Sequence, residues 1–450
     1  METRPWLWPV LLVGSLLLAT LPGVWISTDQ AYAFAAARRL VEAGSFVLTG
    51  PGQVSAPDLP WIPPGPQGEV RTQIHPLVPV LLAPLAWLDS RLGLWGPDIS
   101  GTFVHALNPV LIVLAVMLAG RRLWRETRRY DATAFVVLAT GVLWPTYQVA
   151  RRGMAEPLLI LLLTMYVCAL PDRSFWVRGL ALALLPWAHP TGLVLAAALG
   201  GLDVLRQGRA AWREAIAGAA STLLFLGMWN YAFHGHWLKG GYASLEPSGG
   251  AFSVHSAWSG IGFQLAEVLG NPMPLAATLV VGSAHGRWER LRDLAPGYLA
   301  LLTLLLLFST HYFRVPGEPT RHLAVVWPMV HIGLARAWPT QLWARRLLWG
   351  LLVAQAVLSI HWFFRFDGRY WEGPAGLFYP GVLWVKLAID GRPGLAALGL
   401  LPALFALVAL LATLRSLAKA ASGEADMSAP LARGASERAS TRGAPTRASS

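Results

Sequence analysis

The chain alternates long apolar runs with short arginine-rich turns. Trp6 to Ile26 is 21 residues without a charged side chain. That is long enough to cross a hydrocarbon layer as a helix. Eleven more apolar segments follow, at 99–120, 131–150, 155–171, 176–188, 190–205, 214–233, 268–284, 294–311, 321–337, 345–363 and 395–415. The turns "RRLWRETRRYD" (121–131), "DRSFWVR" (172–178), "RQGRAAWRE" (206–214), "HGRWERLRD" (285–293) and "ARAWPTQLWARR" (335–346) carry the cations. Such clusters stay on the cytoplasmic side of a membrane. Adjacent clusters bracket about 30–70 residues, room for two spans and an outer turn. With Arg4 inside, twelve segments bring the C-terminus back inside. The expected fold is an all-α polytopic transmembrane bundle of about 12 spans. The first run exceeds the roughly 7–15-residue core of a signal peptide and reads as a retained span.

One apolar run breaks the alternation. If "HPLVPVLLAPLAWL" (75–88) spanned, "RRLWRETRRY" would lie outside, against the charge rule. The run is short and holds Pro76, Pro79 and Pro84. It reads as an interfacial or re-entrant helix on the outer face, within a long first outer loop from about 27 to 98. That loop includes "PGQVSAPDLPWIPPGPQGEV" (51–70), too rich in Pro and Gly for a helix. Two further outer loops fall at about 234–267 and 364–394. Residues 1–415 read as one membrane domain. The Ala/Ser/Arg/Gly-rich 416–450 reads as a disordered cytoplasmic tail.

Composition agrees. Hydrophobic residues make up 55% of the 450 and charged ones 13%, about half the charge of a soluble domain. The 22 tryptophans suit membrane interfaces. The net charge of +12 resides mostly in topology-setting turns, so nucleic acid is not an expected partner. A single cysteine, Cys168, rules out an intrachain disulfide framework or a thiolate metal site.

Polar residues outside the arginine turns collect on the expected outer side, where intramembrane and span-end ionisable groups are functional suspects. Asp29, in "ISTDQAY", opens a helical stretch, where a carboxylate is either a helix cap or a catalytic base; the two are compatible. Arg151, Arg152 and Glu156 stand in "ARRGMAEPLLI". The arginines either grip phosphate or snorkel, and Glu156 either binds or complements a helix dipole. Arg321, at a span start, calls for an anionic partner: Glu318 or a lipid phosphate. His189 in "AHPTGL" reads as a helix-end residue. "FHGHWLKGGY" (233–242) offers Lys239 and two histidines, too few for zinc. No cofactor is implied; a divalent cation is left open, without support from the sequence.

Taken in order, these stretches resemble the GT-C membrane glycosyltransferases over about 25–335. The resemblance rests on Asp29 with "AYAFAAARRLVEAGSF", on "RTQIHPLVPVLLAPLAWL", "RRGMAEPLLILLL", "NYAFHGHWLKGGY" and "GEPTRHLAVVWPMV". It departs where the usual aspartate–glutamate pair is Asp29–Gln30 and where His322 replaces a tyrosine. The resemblance implies an inverting hexosyl- or pentosyltransferase of a bacterial cytoplasmic (inner) membrane, working at the extracytoplasmic face. Its donor would be a polyprenyl-phosphate-linked sugar, its acceptor a glycan, lipid or protein, with membrane lipids around it. Asp29 would be the general base. Arg151, Arg152, Arg321, Lys239 and His322 would face the donor phosphate. Tyr32, Glu156, His189 and Glu318 would complete substrate binding. A lipid-linked-sugar transporter or flippase is the competing class. It calls for mid-membrane polar residues and repeated halves, and no internal repeat is evident. A scaffold in which Asp29 is only a cap is the third.

Overall fold

The computed structural model describes residues 4–21, 28–48, 75–94, 103–152, 155–171, 175–234, 261, 265, 268–269, 271–285, 292–310, 322–367, 384, 387 and 391–422. Every regular element among them is helical. The order is α1 (Leu7–Ala19), α2 (Thr28–Ala43), α3 (Leu77–Arg91), α4 (Leu107–Thr127), α5 (Tyr130–Gly141), α6 (Trp144–Arg152), α7 (Glu156–Ala169), α8 (Phe175–Ala188) and α9 (Pro190–Gln207). Then come α10 (Trp212–Ser221), α11 (Gly227–His234), α12 (Met273–His285), α13 (Ala295–Thr310), α14 (Trp327–Arg336), α15 (Leu342–Asp367), α16 (Pro393–Ala397) and α17 (Leu400–Ala421).

Among the described residues, four helices are long and apolar enough to cross a membrane: Phe103–Thr127, Trp212–Ala232, Leu342–Ile360 and Pro393–Ala421. A fifth crossing is counted if the bent pair Tyr130–Gly141 and Pro145–Arg151 is one span. Five shorter apolar helices occupy other expected segments. The chain is a multi-pass membrane protein. The segment expected as one continuous span over 131–150 is instead bent by 50° between α5 and α6. Pro145 lacks the N–H that would donate to the carbonyl of Gly141, and its ring disfavours helix just upstream. Helix α17 runs to Ala421, past the expected start of the tail at 416, because Leu417, Ala418, Lys419, Ala420 and Ala421 are strong helix formers. Residues 423–450 lie outside the described residues.

The arginine-rich turns gather at one end of the bundle. Arg336 grips Glu126 with Nε at 2.9 Å and Nη2 at 3.2 Å. Trp338 donates to Asp131 at 2.8 Å. His285 Nε2 meets the carbonyl of Ala337 at 2.7 Å, and Arg206 donates to that of Arg292 at 3.0 Å. Arg178 bonds both Gln207 and Glu214. These pairs join all five clusters.

Opposite is a second, roofed end. Helix α7 starts there, with Glu156 beside His322, and its last turn reaches the arginine end, where the carbonyl of Val167 meets Arg336. Helix α3 lies across the roofed end. His75, just before it, bonds the carbonyl of Pro186 at the end of α8. Asp89, near its C-terminus, receives the N–H groups of Phe103 (2.8 Å) and Val104 (3.0 Å) at the entry to α4. Both ends of a helix roughly 20 Å long therefore touch the same end of the bundle. The run 75–88, expected as an interfacial or re-entrant helix, thus forms one helix laid over an end of the bundle. Helix α2 packs on α3. Phe34 meets His105 edge-on, and Phe46 meets Trp229 likewise.

Candidate functional site

Under the roof, four side chains from separate elements form a row. Glu156 opens α7; its carboxylate is almost fully buried and lies 3.6 Å from Nδ1 of His322. Pro157 follows at the first helical turn, where its missing N–H costs nothing and an acid favours the dipole. The ring of His322 stands 6.3 Å from that of His189. His189 stands 6.4 Å from His75, with planes 28° apart. Among the described residues no three His, Cys, Asp or Glu side chains converge as a metal site requires.

Each histidine is fixed locally. His189 has an extended backbone at the N-cap of α9, and its Nδ1 accepts from the N–H of Thr191 at 3.3 Å. The Thr191 hydroxyl lies 2.9 Å from the same nitrogen. The α8–α9 turn is tight at Gly192, where a Cβ would sit 2.0 Å from the carbonyl oxygen of Leu185. His75 Nδ1 lies 2.7 Å from the carbonyl oxygen of Pro186, in the last turn of α8, where helix carbonyls lack internal partners.

Arg151 stands at the end of α6, five positions before Glu156. Only 2% of it is exposed. Its Nη1 donates to the carbonyl of Thr20 at 2.8 Å and lies 3.5 Å from the hydroxyl of Tyr147, whose ring faces the guanidinium. It thus ties α6 to the chain leaving α1, ahead of Thr28 and Asp29.

The structure brings together Glu156, His322 and His189, and adds His75. Tyr32 is buried in α2. Asp29 and Arg152 are described as helix backbone, in the first turn of α2 and the last of α6; their side chains lie outside the described residues. Arg321, Lys239 and Glu318 lie outside them altogether. Sequence reasoning missed three structural acids, Asp89, Asp203 and Glu214. Asp89, fully buried, reads along the chain as the polar end of an interfacial helix. Glu214 reads as part of a cytoplasmic turn. The five-residue π turn Thr222–Leu226 between α10 and α11 had no sequence signal either.

No family model and no curated protein matches the sequence. Solved structures do. The chain is similar to ArnT from Cupriavidus metallidurans bound to undecaprenyl phosphate, with a TM-score of 0.53 and 13% identity over 91% of this chain and 74% of that one. The fold is that of ArnT. The apo form of the same ArnT aligns at a TM-score of 0.47 and 14% identity, over 90% of this chain and 73% of that one. Within this architecture, the histidine–glutamate row sits at the end of the bundle that α2 and α3 cover, away from the arginine turns.

Proposed function

We propose that the chain is an integral-membrane glycosyltransferase that moves a sugar from a polyprenyl-phosphate donor to an acceptor hydroxyl. The observation that carries this reading is the convergence of Glu156, His322, His189 and His75 beneath α2 and α3, in a bundle with the fold of ArnT. The solved ArnT structure holds undecaprenyl phosphate, which supports a lipid phosphate as the donor's carrier.

In this reading Asp29 takes the proton of the acceptor hydroxyl. The acceptor oxygen attacks the anomeric carbon from the face opposite the lipid phosphate. The bond from that carbon to the phosphate oxygen breaks, the phosphate leaves with the electron pair, and the configuration inverts. Arg152, Arg321 and Lys239 neutralise the departing phosphate, with His322 beside Glu156 contributing a further donor. Arg151 holds the segment ahead of Asp29 through Thr20, whether or not it also reaches the phosphate. Tyr32, His189 and Glu318 complete the substrate contacts. The arginine turns face the cytoplasm by the positive-inside rule, so the reaction runs at the extracytoplasmic face of a bacterial inner membrane. The acceptor is a glycan, lipid or protein.

The test is transfer of radiolabelled sugar in membranes from undecaprenyl-phosphate hexoses and pentoses, comparing wild type with Asp29→Asn. Loss of transfer by two orders of magnitude or more is expected, since a general base contributes about 10²–10⁴-fold. Retained transfer removes Asp29 from the chemistry.

A further inference from the structure

The cations at the arginine end sort into two sets. One set is used inside the fold. Glu126 is held by Arg122 and Arg336, and Asp131 by Arg129 and Arg345. Arg178 takes Asp203 and Glu214. The side chains of the other set make no hydrogen bond or ion pair among the described residues. They are Arg4, Arg121, Arg125, Arg128, Arg415 and Lys419, all exposed.

This second set falls on three neighbouring helices. Helix α1 packs on both α4 and α17. Its Gly14 faces Val113 of α4, and its Leu12 packs with Ala406 and Ala409 of α17. It runs opposite to both, so its first residues stand with their last turns. Trp6 packs against Gly120, beside Arg121. The hydroxyl of Tyr130 meets the carbonyl of Thr413, close to Arg415, at 3.5 Å.

On each helix an exposed apolar stripe runs down to the cations at helical spacing. On α4 it is Val110, Leu114 and Met117, then Arg121 and Arg125. On α1 it is Leu18, Leu11 and Trp8, then Arg4. On α17 it is Leu404, Val408 and Leu411, then Arg415 and Lys419. Apolar stripes that end in cations match acyl chains that end in an anionic head group. Cations on adjacent helix ends repel one another, and a bound anion relieves that repulsion. A zwitterionic head group, with no net charge, does not. We infer that the α4–α1–α17 flank is a binding surface for acidic phospholipid. The head group sits among Arg4, Arg121, Arg125 and Arg415, and the acyl chains lie along the stripes. A topology signal needs positive charge anywhere at this end of the bundle; a binding surface needs it on this flank. Arg213 and Arg292 supply the comparison. Both are exposed, with side chains unpaired among the described residues, and they stand off the flank, on α10, which packs on α8 and α9, and just ahead of α13.

The test uses purified full-length protein in a neutral detergent, titrated with phosphatidylglycerol, cardiolipin or phosphatidylcholine. Native mass spectrometry counts retained lipid, and thermal unfolding reads its effect. Phosphatidylglycerol and cardiolipin are expected to stay bound and to raise the melting temperature, less so in high salt; phosphatidylcholine is not. An arginine near an acidic lipid surface carries a factor of about five in affinity. Arg4→Gln, Arg121→Gln and Arg415→Gln together should therefore weaken acidic-lipid binding about 10²-fold. Arg4→Lys, Arg121→Lys and Arg415→Lys together should hold it within about threefold of wild type. Arg213→Gln with Arg292→Gln should bind like wild type. If the triple glutamine variant fails to fold, Arg121→Gln and Arg415→Gln singly are each expected to lose about fivefold. Undiminished binding in the glutamine variants overturns the inference. So does an equal loss in the Arg213 and Arg292 pair, or phosphatidylcholine held as tightly as phosphatidylglycerol. A lipid-free dimer broken by the same flank substitutions overturns it too, and assigns the surface to a second copy of the chain.

Discussion

Asp89 anchors the roof, and its removal should be costly. Its carboxylate is fully buried. It accepts the N–H of Phe103 at 2.8 Å and of Val104 at 3.0 Å. These groups begin the turn leading into α4, so they are donors at the positive end of a helix, where the ladder offers them no acceptor. Hydrogen bonds to a charged group contribute about 1.5–3 kcal/mol each, and truncation strands buried donors. Asp89→Ala should therefore destabilise the protein by about 3–5 kcal/mol. Asp89→Asn keeps one oxygen, loses the charge, and aims an amide N–H₂ at a backbone donor; about 2 kcal/mol is expected. The measurement is unfolding in mixed micelles, followed by tryptophan fluorescence at equilibrium. The order wild type, Asn, Ala is as much a part of the prediction as the size. A loss under about 0.5 kcal/mol for Asp89→Ala would refute the idea that this carboxylate holds α3 to α4.

Two further changes probe the scaffold. Arg178 is 2% exposed and stands against Glu214 and, at 3.8 Å, Asp203, both equally buried; Arg178→Met should cost about 3–5 kcal/mol in the same unfolding assay, and adding Glu214→Leu and Asp203→Leu should recover most of it, because the penalty comes from stranded charge. Gly192→Ala drives a Cβ into the carbonyl of Leu185; a loss of about 1–3 kcal/mol is expected, together with weakened sugar transfer, since the displaced turn carries His189.

The fold was legible because its signal is coarse. Apolar length and arginine placement need no knowledge of contacts, and the five cationic turns do meet at one end of the bundle. What the pattern could not reveal is which cation is solvated. Along the chain Arg178 looks like any other cation of a short turn, closing "DRSFWVR", yet the bundle buries it among two acids 25 and 36 positions away. Pro145 stands at the break after α5, inside a run read as one span; a proline in an apolar run can kink a helix or begin a new one, and only packing decides. At the site, Glu156, His189 and His322 drew notice as polar residues at span ends. His75 drew less, because its part depends on a partner at Pro186, 111 positions along the chain.

The roof helix has a mechanical consequence. A lid swings because one end is free, and α3 is fastened at both: by an imidazole on the α8 carbonyl at its entry and by a carboxylate on two backbone donors at its exit. A beam so clamped resists rotation about either end. On the proposed function, a lipid-linked donor would then come in from the flank, between helices and within the plane of the bilayer, while the beam overhead stays still.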